Sequence, residues 1–241
     1  MSLAFPDKAS ARDLAWRRLE KAGAARPPLP ARGRIPNFAG AEAAAQRLFD
    51  LEPWHGARRI KVNPDTPQAF VRAEALRRGI AVYIATPRLA GGFMLLDPAR
   101  IPPERAAEAA ARANWPRFAV EIPLAKLPQM DAIVCGSVAV TVDGRRAGKG
   151  AGYSDLESAI LVELGHAPAP VATTVHDLQV VGAFPVEAID QRLSAIATPT
   201  RCVAVPDAPG RAVGIDWARL PPDALAAMPV LAAVRRLRGG P

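Results

Sequence analysis

The chain has 241 residues, half of them hydrophobic and 22% charged, which is typical of a globular protein with a substantial core. A formal net charge of +8 favours an anionic ligand or a nucleic acid, although a generally arginine-rich composition explains it equally well. No apolar run reaches the roughly 18 residues that span a bilayer, and the charged N-terminus lacks a signal-peptide core, so we expect a cytoplasmic protein without membrane contact. Cys135 and Cys202 lie in apolar runs, and we expect free thiols.

Helical and strand-like patterns alternate along the chain. In chain order, the sequence predicts a helix over 7–22, an irregular Pro/Gly-rich segment over 24–40, a helix over 41–51, a strand over 59–63, a helix over 66–78, strands over 80–85 and 93–96, a helix over 103–113, a strand over 132–142, a helix over 156–164, strands over 171–175, 195–197, 202–205 and 213–215, and a basic helix over 222–238. This alternation predicts an α/β fold with an open, mostly parallel sheet.

A glycine-rich stretch, residues 144–155 (GRRAGKGAGYSD), follows the long predicted strand and precedes a helix. Glycines allow backbone N–H groups to approach a ligand, and a helix N-terminus favours anions. Ligands of open α/β sheets bind at the carboxyl ends of the strands, where this stretch lies. Its spacing matches neither the dinucleotide fingerprint nor the P-loop. It therefore predicts a phosphate cradle, with a merely structural turn as the alternative.

Residues 146–155 (RAGKGAGYSD) resemble the R-x-G-x-G-x-G-Y-Y-D motif of the 5-formyltetrahydrofolate cyclo-ligase family. Lys8 and Arg12 resemble the K-x-x-x-R of the family's first helix. Gln179 with residues 184–190 (FPVEAID) resembles its Q…P-V-E-x-x-D segment, and residues 197–199 (ATP) resemble the end of its last core strand. The resemblance covers about residues 7–205. Further segments, GRIPNF at 33–38, KVNPDTP at 61–67 and GKGAGYSDLE at 148–157, are typical of a cyclo-ligase-like paralogue branch linked to thiamine metabolism.

The resemblance implies a single three-layer α/β domain over residues 1–241, with helices on both sides of the sheet. It also implies an ATP- and Mg²⁺-dependent ligase, which converts 5-formyltetrahydrofolate to 5,10-methenyltetrahydrofolate or acts on a related heterocycle in folate or thiamine metabolism. In the family reaction the formyl oxygen attacks the γ-phosphate of ATP, and N10 of the folate then closes the ring and expels phosphate. The expected partners are ATP and a small molecule such as a reduced folate; nucleic acid is a less favoured partner.

The resemblance also assigns roles to residues. The ATP-binding set is Lys8, Arg12, Arg146, Gly148, Lys149, Gly150, Gly152 and Tyr153. Within it, Arg146 and Lys149 are the candidate catalytic cations, because phosphoryl transfer needs positive charge around the transferred group. Mg²⁺ is assigned to Asp155 and Asp190, and the substrate to Asn63, Asp65 and Tyr153.

Each role has a structural alternative. Lys8 and Arg12 also fit a solvated helix face, Tyr153 a place in the core, Asp155 a helix cap and Asp190 an ordinary exposed aspartate.

Several positions depart from the family pattern. Ser154 stands where the family has a second tyrosine, Ser194 replaces an aspartate, and residues 63–65 (NPD) occupy the turn where the family has a substrate-binding glutamate. The substrate slot is therefore altered more than the phosphate site, and we expect nucleotide binding to be retained.

Three alternatives remain. The first is a non-catalytic nucleotide-binding regulator, and the second is an RNA-binding module. The third is a relative of the sugar-phosphate isomerases and CoA transferases, for which no catalytic carboxylate is evident. The pair His176-Asp177 fits a base with its orienting acid, but a locally hydrogen-bonded turn is favoured.

Overall fold

The computed structural model describes residues 4–86, 89–150, 152–206, 213–220 and 222–239. The helices are α1 (Lys8–Lys21), α2 (Ala41–Leu48), α3 (Gln68–Arg77), α4 (Ala106–Ala110), α5 (Trp115–Phe118), α6 (Tyr153–Glu163), α7 (Ala224–Ala227) and α8 (Pro229–Leu237). The strands are β1 (Ala25–Arg26), β2 (Asn37–Phe38), β3 (Arg59–Val62), β4 (Ala81–Ala85), β5 (Phe93–Leu96), β6 (Ala119–Ile122), β7 (Ala132–Cys135), β8 (Ala139–Val140), β9 (Arg146–Ala147), β10 (Val171–Thr174), β11 (Ala195–Ala197) and β12 (Cys202–Ala204).

Eight strands form the central sheet in the order β12-β11-β10-β7-β3-β4-β5-β6. The pairings from β11 through β10, β7 and β3 to β4 are parallel, and antiparallel strands flank them at both edges. β7 and β10 are buried along their whole length, as expected for parallel strands covered on both faces. The predicted open, mostly parallel sheet is confirmed.

Helices cover both faces of this sheet. Leu48 of α2 and Leu76 of α3 belong to the apolar cluster on one face. Ile160 of α6 and Leu231 of α8 belong to the cluster on the other. The predicted three-layer arrangement is therefore confirmed. None of the helices in the described part of the chain combines the length and hydropathy that a bilayer crossing requires.

The N-terminal helix packs beside the sheet rather than on one of its faces. Asp7 caps α1 by accepting a hydrogen bond from Ser10 N at 2.7 Å. Ala11 and Trp16 of α1 pack with Ala147 of β9 and Phe184 in a separate apolar cluster. This packing fixes Lys8 and Arg12 beside the hairpin that β8 and β9 form.

The prediction of one strand over 132–142 is wrong in its extent. The strand ends at Cys135, and the chain turns at Gly136. A Cβ at Gly136 would lie 2.9 Å from Gln68 Oε1 and 3.0 Å from Asp65 Oδ2. Beyond this close approach, β8 pairs antiparallel with β9 outside the main sheet.

The helix predicted over 103–113 is also interrupted. It consists of the 3-10 turn Pro103–Arg105, α4 and the 3-10 turn Arg112–Asn114. Arg72 Nε donates to Ala110 O at 3.0 Å, and Asn114 Nδ2 donates to Glu108 O at 2.8 Å. These side chains take carbonyls that a continuing helix would use.

Smaller predictions also fail. Residues 213–215 form no strand, because Ile215 N donates to the Glu163 carboxylate. The helix predicted over 222–238 breaks at Met228, whose φ of −132° and ψ of 82° precede Pro229. The segment 24–40 contains the short β1–β2 pair, and β6 was not predicted. α6 begins at Tyr153, three residues earlier than predicted.

Candidate functional site

A cleft of about 1360 Å³ lies at the carboxyl ends of the central strands. The turn after β3, Gly136 after β7, and the glycine-rich stretch meet there, as the topology of an open α/β sheet leads one to expect. The eight residues assigned to ATP all line this cleft, together with Asn63, Asp65, Asp155 and Asp190. The structure therefore brings every predicted site residue to one place. Ala151, within the glycine-rich stretch, lies outside the described residues.

Arg146 is the buried centre of the glycine-rich stretch. Its Nε and Nη2 atoms donate to Gly136 O at 3.3 and 3.0 Å, and Nη1 donates to Asp155 Oδ1 at 3.3 Å. A Cβ on Gly148 would lie 2.9 Å from Arg146 Nη2. A side chain at position 148 would therefore force the guanidinium away from its partners Gly136 O and Asp155.

The remaining glycines turn the chain into α6. Gly150 has φ +103° and Gly152 has φ +70°, conformations that L side chains rarely adopt. Gly152 is the N-cap residue of α6 and supplies no side-chain hydrogen bond. Arg12 reaches this turn from α1, where its Nη1 donates to Gly148 O at 3.4 Å. A helix N-terminus, a glycine turn and two arginines thus converge, an arrangement that suits phosphate groups.

Acidic side chains neutralise the cations of this cradle. Lys8 Nζ contacts both oxygens of Asp190 at 2.5 Å. Lys149 Nζ lies 3.2 Å from Asp65 Oδ1, across the cleft from the glycine-rich stretch. The Lys149 side chain is 42% exposed, so this pair can exchange for another partner at little cost.

The two aspartates assigned to Mg²⁺ are linked by a hydrogen bond from the backbone of the residue that follows Asp190. Gln191 N, adjacent to Asp190, donates to Asp155 Oδ1 at 3.2 Å, and Asp190 Oδ2 accepts from Glu187 N at 2.5 Å. No cluster of three or more histidine, cysteine or acidic side chains with metal-binding geometry occurs among the described residues. Two carboxylates lining a phosphate cleft nevertheless fit Mg²⁺, because this ion commonly takes one or two carboxylates plus substrate phosphates and waters.

The turn after β3 is held rigidly from below. Arg72 is buried, and its Nη1 donates to Asn63 O at 2.6 Å and to Asp65 O at 3.3 Å. Its guanidinium also stacks over Trp115, with its central carbon 5.3 Å from the ring centroid. Burial lowers the pKa of Arg72 to about 9, which leaves it charged at neutral pH. Asn63 is only 4% exposed and is therefore part of the floor.

An ion pair that was not predicted from the sequence lies beneath this turn. Lys61 on β3 is fully buried and pairs with Glu157 on α6, which is also buried and lines the cleft. Burial raises the pKa of the Glu157 carboxyl, although Lys61 acts in the opposite direction. A lysine inside a predicted strand was the available signal for Lys61; Glu157 offered none, because an acid in an amphipathic helix normally faces water.

The remaining candidates have structural roles. His176 Nδ1 accepts from Leu178 N at 3.1 Å, and Asp177 Oδ1 accepts from Thr198 and Thr200 at 2.8 and 2.7 Å. The locally hydrogen-bonded turn is therefore confirmed. Cys135 and Cys202 are both free, as expected.

Comparison with known proteins shows what the chain is similar to. The model of the 5-formyltetrahydrofolate cyclo-ligase family matches residues 7–199. The methenyltetrahydrofolate synthase domain-containing protein of Mus musculus is 38% identical over 235 residues, which are 95% of this chain and 63% of that protein. The protein of the same name from Homo sapiens is 33% identical over 235 residues, 95% of this chain and 61% of that protein. The chain thus spans less than two thirds of the length of these relatives.

A solved structure shares the fold. The NMR structure of 5,10-methenyltetrahydrofolate synthetase from Aquifex aeolicus superposes with a TM-score of 0.52 at 15% identity. The match covers 88% of this chain and 99% of that chain.

Proposed function

Since the chain belongs to the 5-formyltetrahydrofolate cyclo-ligase family, we propose that it is an ATP- and Mg²⁺-dependent enzyme that closes a ring on a reduced folate or a related heterocycle carrying an N-formyl or amide group. The observation that carries this proposal is the convergence of Lys8, Arg12, Arg146 and Lys149 with the glycine turns in one cleft. This arrangement matches what transfer of the γ-phosphate to a formyl oxygen requires.

In this proposal the four cations have different tasks. Arg146 is fixed by Gly136 O and Asp155, so it provides charge in a preorganised place, which is the most effective form of transition-state stabilisation. Lys149 is mobile enough to leave Asp65 and follow the transferred phosphoryl group. Lys8 and Arg12 bind the phosphates from the side of α1.

Asp155 and Asp190 are the residues that would hold Mg²⁺. The ion, when bound with ATP, neutralises charge on the phosphates. Asp190 is already held by Lys8 and by Glu187 N, and Asp155 by Arg146 and Gln191 N. These contacts orient both carboxylates without the metal.

The second substrate is assigned to the part of the cleft around Asn63, Asp65 and Tyr153. Tyr153 is partly buried against the apolar cluster of α6 and also lines the cleft, so its ring can cover a bound heterocycle. Tyr153 shares the cleft with the phosphate cradle and the β3 turn, which supports a second substrate bound close to the γ-phosphate.

Two measurements test the proposal. Calorimetric titration should show Mg-ATP binding, and adding 5-formyltetrahydrofolate should release phosphate from ATP as the absorbance of the methenyl product grows. Binding of Mg-ATP without turnover of any N-formyl heterocycle would indicate a nucleotide-binding regulator. Absence of binding at millimolar nucleotide would overturn the proposal. The variant Glu74→Gln, which alters an ion pair on α3 outside the cleft, is the control and should match the wild type.

A further inference from the structure

Buried charge is concentrated at this cleft. Four charged residues are buried as whole residues in the described part of the chain: Lys61, Arg72, Arg146 and Glu157. Arg72, Arg146 and Glu157 line the cleft, and Lys61 contacts Glu157. Burying an ion pair is seldom the most stable choice, and apolar residues of similar volume commonly do as well or better. Such concentration of buried charge in a cleft indicates a functional site.

Two of these side chains already have a task. Arg146 belongs to the phosphate cradle, and Arg72 holds the β3 turn through its carbonyls. The Lys61–Glu157 pair serves neither purpose. It joins β3 to α6 directly below the part of the cleft assigned to the second substrate.

The hydrogen bonds around the pair show which atom remains available to a ligand. Asn63 Nδ2 donates to Glu157 Oε2 at 3.0 Å, and Lys61 contacts the same oxygen. Asn63 Oδ1 accepts from Lys61 Nζ and from Ser154 Oγ, both at 3.4 Å. The side chain of Asn63 is thus hydrogen-bonded within the floor of the cleft. Both contacts of Glu157 use Oε2, so Oε1 can accept a hydrogen bond from a ligand in the cleft.

We propose that Glu157 is a specificity-determining residue for the second substrate, accepting hydrogen bonds from the N–H edge of an amino-substituted heterocycle, and that Lys61 is its positioning residue. This inference rests on the proposed function for the identity of the cleft. An ionised carboxylate only accepts hydrogen bonds, so the matching group is a donor. Bonds from N–H groups to a charged acceptor are strong and select against a substrate without the donor.

Lys61 acts through Glu157. Its ammonium compensates the buried carboxylate and, with Asn63, fixes one of the two carboxylate oxygens. Lys61 is fully buried and does not line the cleft, whereas Glu157 is 5% exposed and does line it, so a substrate touches Glu157 and not Lys61.

Three variants separate recognition from stability. Glu157→Gln keeps the shape of the side chain but removes its charge. The double variant Lys61→Met/Glu157→Met replaces the whole pair by apolar side chains of similar length, which buried ion pairs commonly tolerate. Lys61→Arg keeps the positive charge at position 61. Glu74→Gln is the matched control for the acid-to-amide change, since Glu74 pairs with Arg78 on α3.

The probes are 2-aminopyrimidine, pyrimidine and 5-formyltetrahydrofolate, with binding followed by ligand-observed NMR and Mg-ATP binding followed by calorimetry. The wild type and Glu74→Gln should bind 2-aminopyrimidine about tenfold more tightly than pyrimidine, as expected for a hydrogen bond to a charged group. Glu157→Gln and the double variant should lose this preference while Mg-ATP binding is unchanged. Lys61→Arg should retain part of it.

The outcomes are separable. Equal preference in the wild type and the double variant would show that the pair takes no part in recognition and would overturn the inference. So would the lack of any preference in the wild type. If the wild type did not bind Mg-ATP but still preferred 2-aminopyrimidine in a way that depended on Glu157, the proposed function would be overturned and this subsite would stand.

Discussion

The two halves of the cleft use the same ionic chemistry in opposite ways. In the phosphate half, Lys149 pairs with Asp65 at a site where the lysine is 42% exposed, while the Lys8–Asp190 pair is intermediate, with the two side chains 24% and 13% exposed. In the substrate half, Lys61 and Glu157 are almost completely removed from water. Exposed pairs contribute little to stability and exchange readily, whereas breaking a buried pair leaves an uncompensated charge.

This difference suits the ligand that each half is proposed to receive. A phosphate brings its own negative charge and can displace Asp65 from Lys149, so a weak pair is an advantage there. A neutral heterocycle brings no charge to exchange, so it has to be recognised by the direction of its hydrogen bonds. A fixed carboxylate, held by Lys61 and Asn63, provides this direction.

The largest expected effect is on stability in the substrate half. Lys61→Met should reduce the free energy of unfolding by about 3–5 kcal/mol, because Glu157 is left buried without its partner. Urea denaturation followed by circular dichroism measures this loss. The double variant with Glu157→Met should recover most of it. A single variant as stable as the wild type would contradict the distinction between the halves.

Arg146 tests the limits of the comparison, because it is a buried cation in the phosphate half, with its side chain only 5% exposed. Arg146→Met should reduce the rate of phosphate release by about 10²–10³, the range found when a preorganised transition-state donor is removed. Arg146→Lys restores the charge but not the two-nitrogen contact with Gly136 O, so its rate should lie between those of the wild type and Arg146→Met. The comparison is of initial rates at saturating Mg-ATP. A full rate in Arg146→Met would show that Arg146 is only structural.

The phosphate half was largely predictable from the sequence, because its elements are local. The glycines, Arg146, Lys149 and Asp155 lie within one stretch between a strand and a helix, and Lys8 and Arg12 lie on one helix. The end of β7 at Cys135 was not predicted. At Gly136 the chain passes so close to Gln68 and Asp65, which are distant in sequence, that a Cβ would not fit without a shift.

The substrate half was not predictable, because its key contact joins residues 61 and 157. Asn63 was expected to face the substrate, whereas its side chain is committed to Glu157, Ser154 and Lys61 in the floor. Glu157 is buried where it meets Lys61 of β3 and Asn63 of the following turn. This meeting of α6 with the end of β3 had to be known first.

The smallest expected effect on stability concerns the exposed Lys149–Asp65 pair. Lys149→Met should change the free energy of unfolding by no more than about 1 kcal/mol, because its pair with Asp65 is exposed. Mg-ATP affinity should nevertheless fall about tenfold, and the remaining affinity should depend less on salt, because one cation no longer faces the phosphates. Urea denaturation and calorimetry at two ionic strengths measure these quantities. If Lys149→Met destabilised the protein as much as Lys61→Met, the pair with Asp65 would be structural, and exchange of Asp65 for phosphate would no longer explain the architecture of this half.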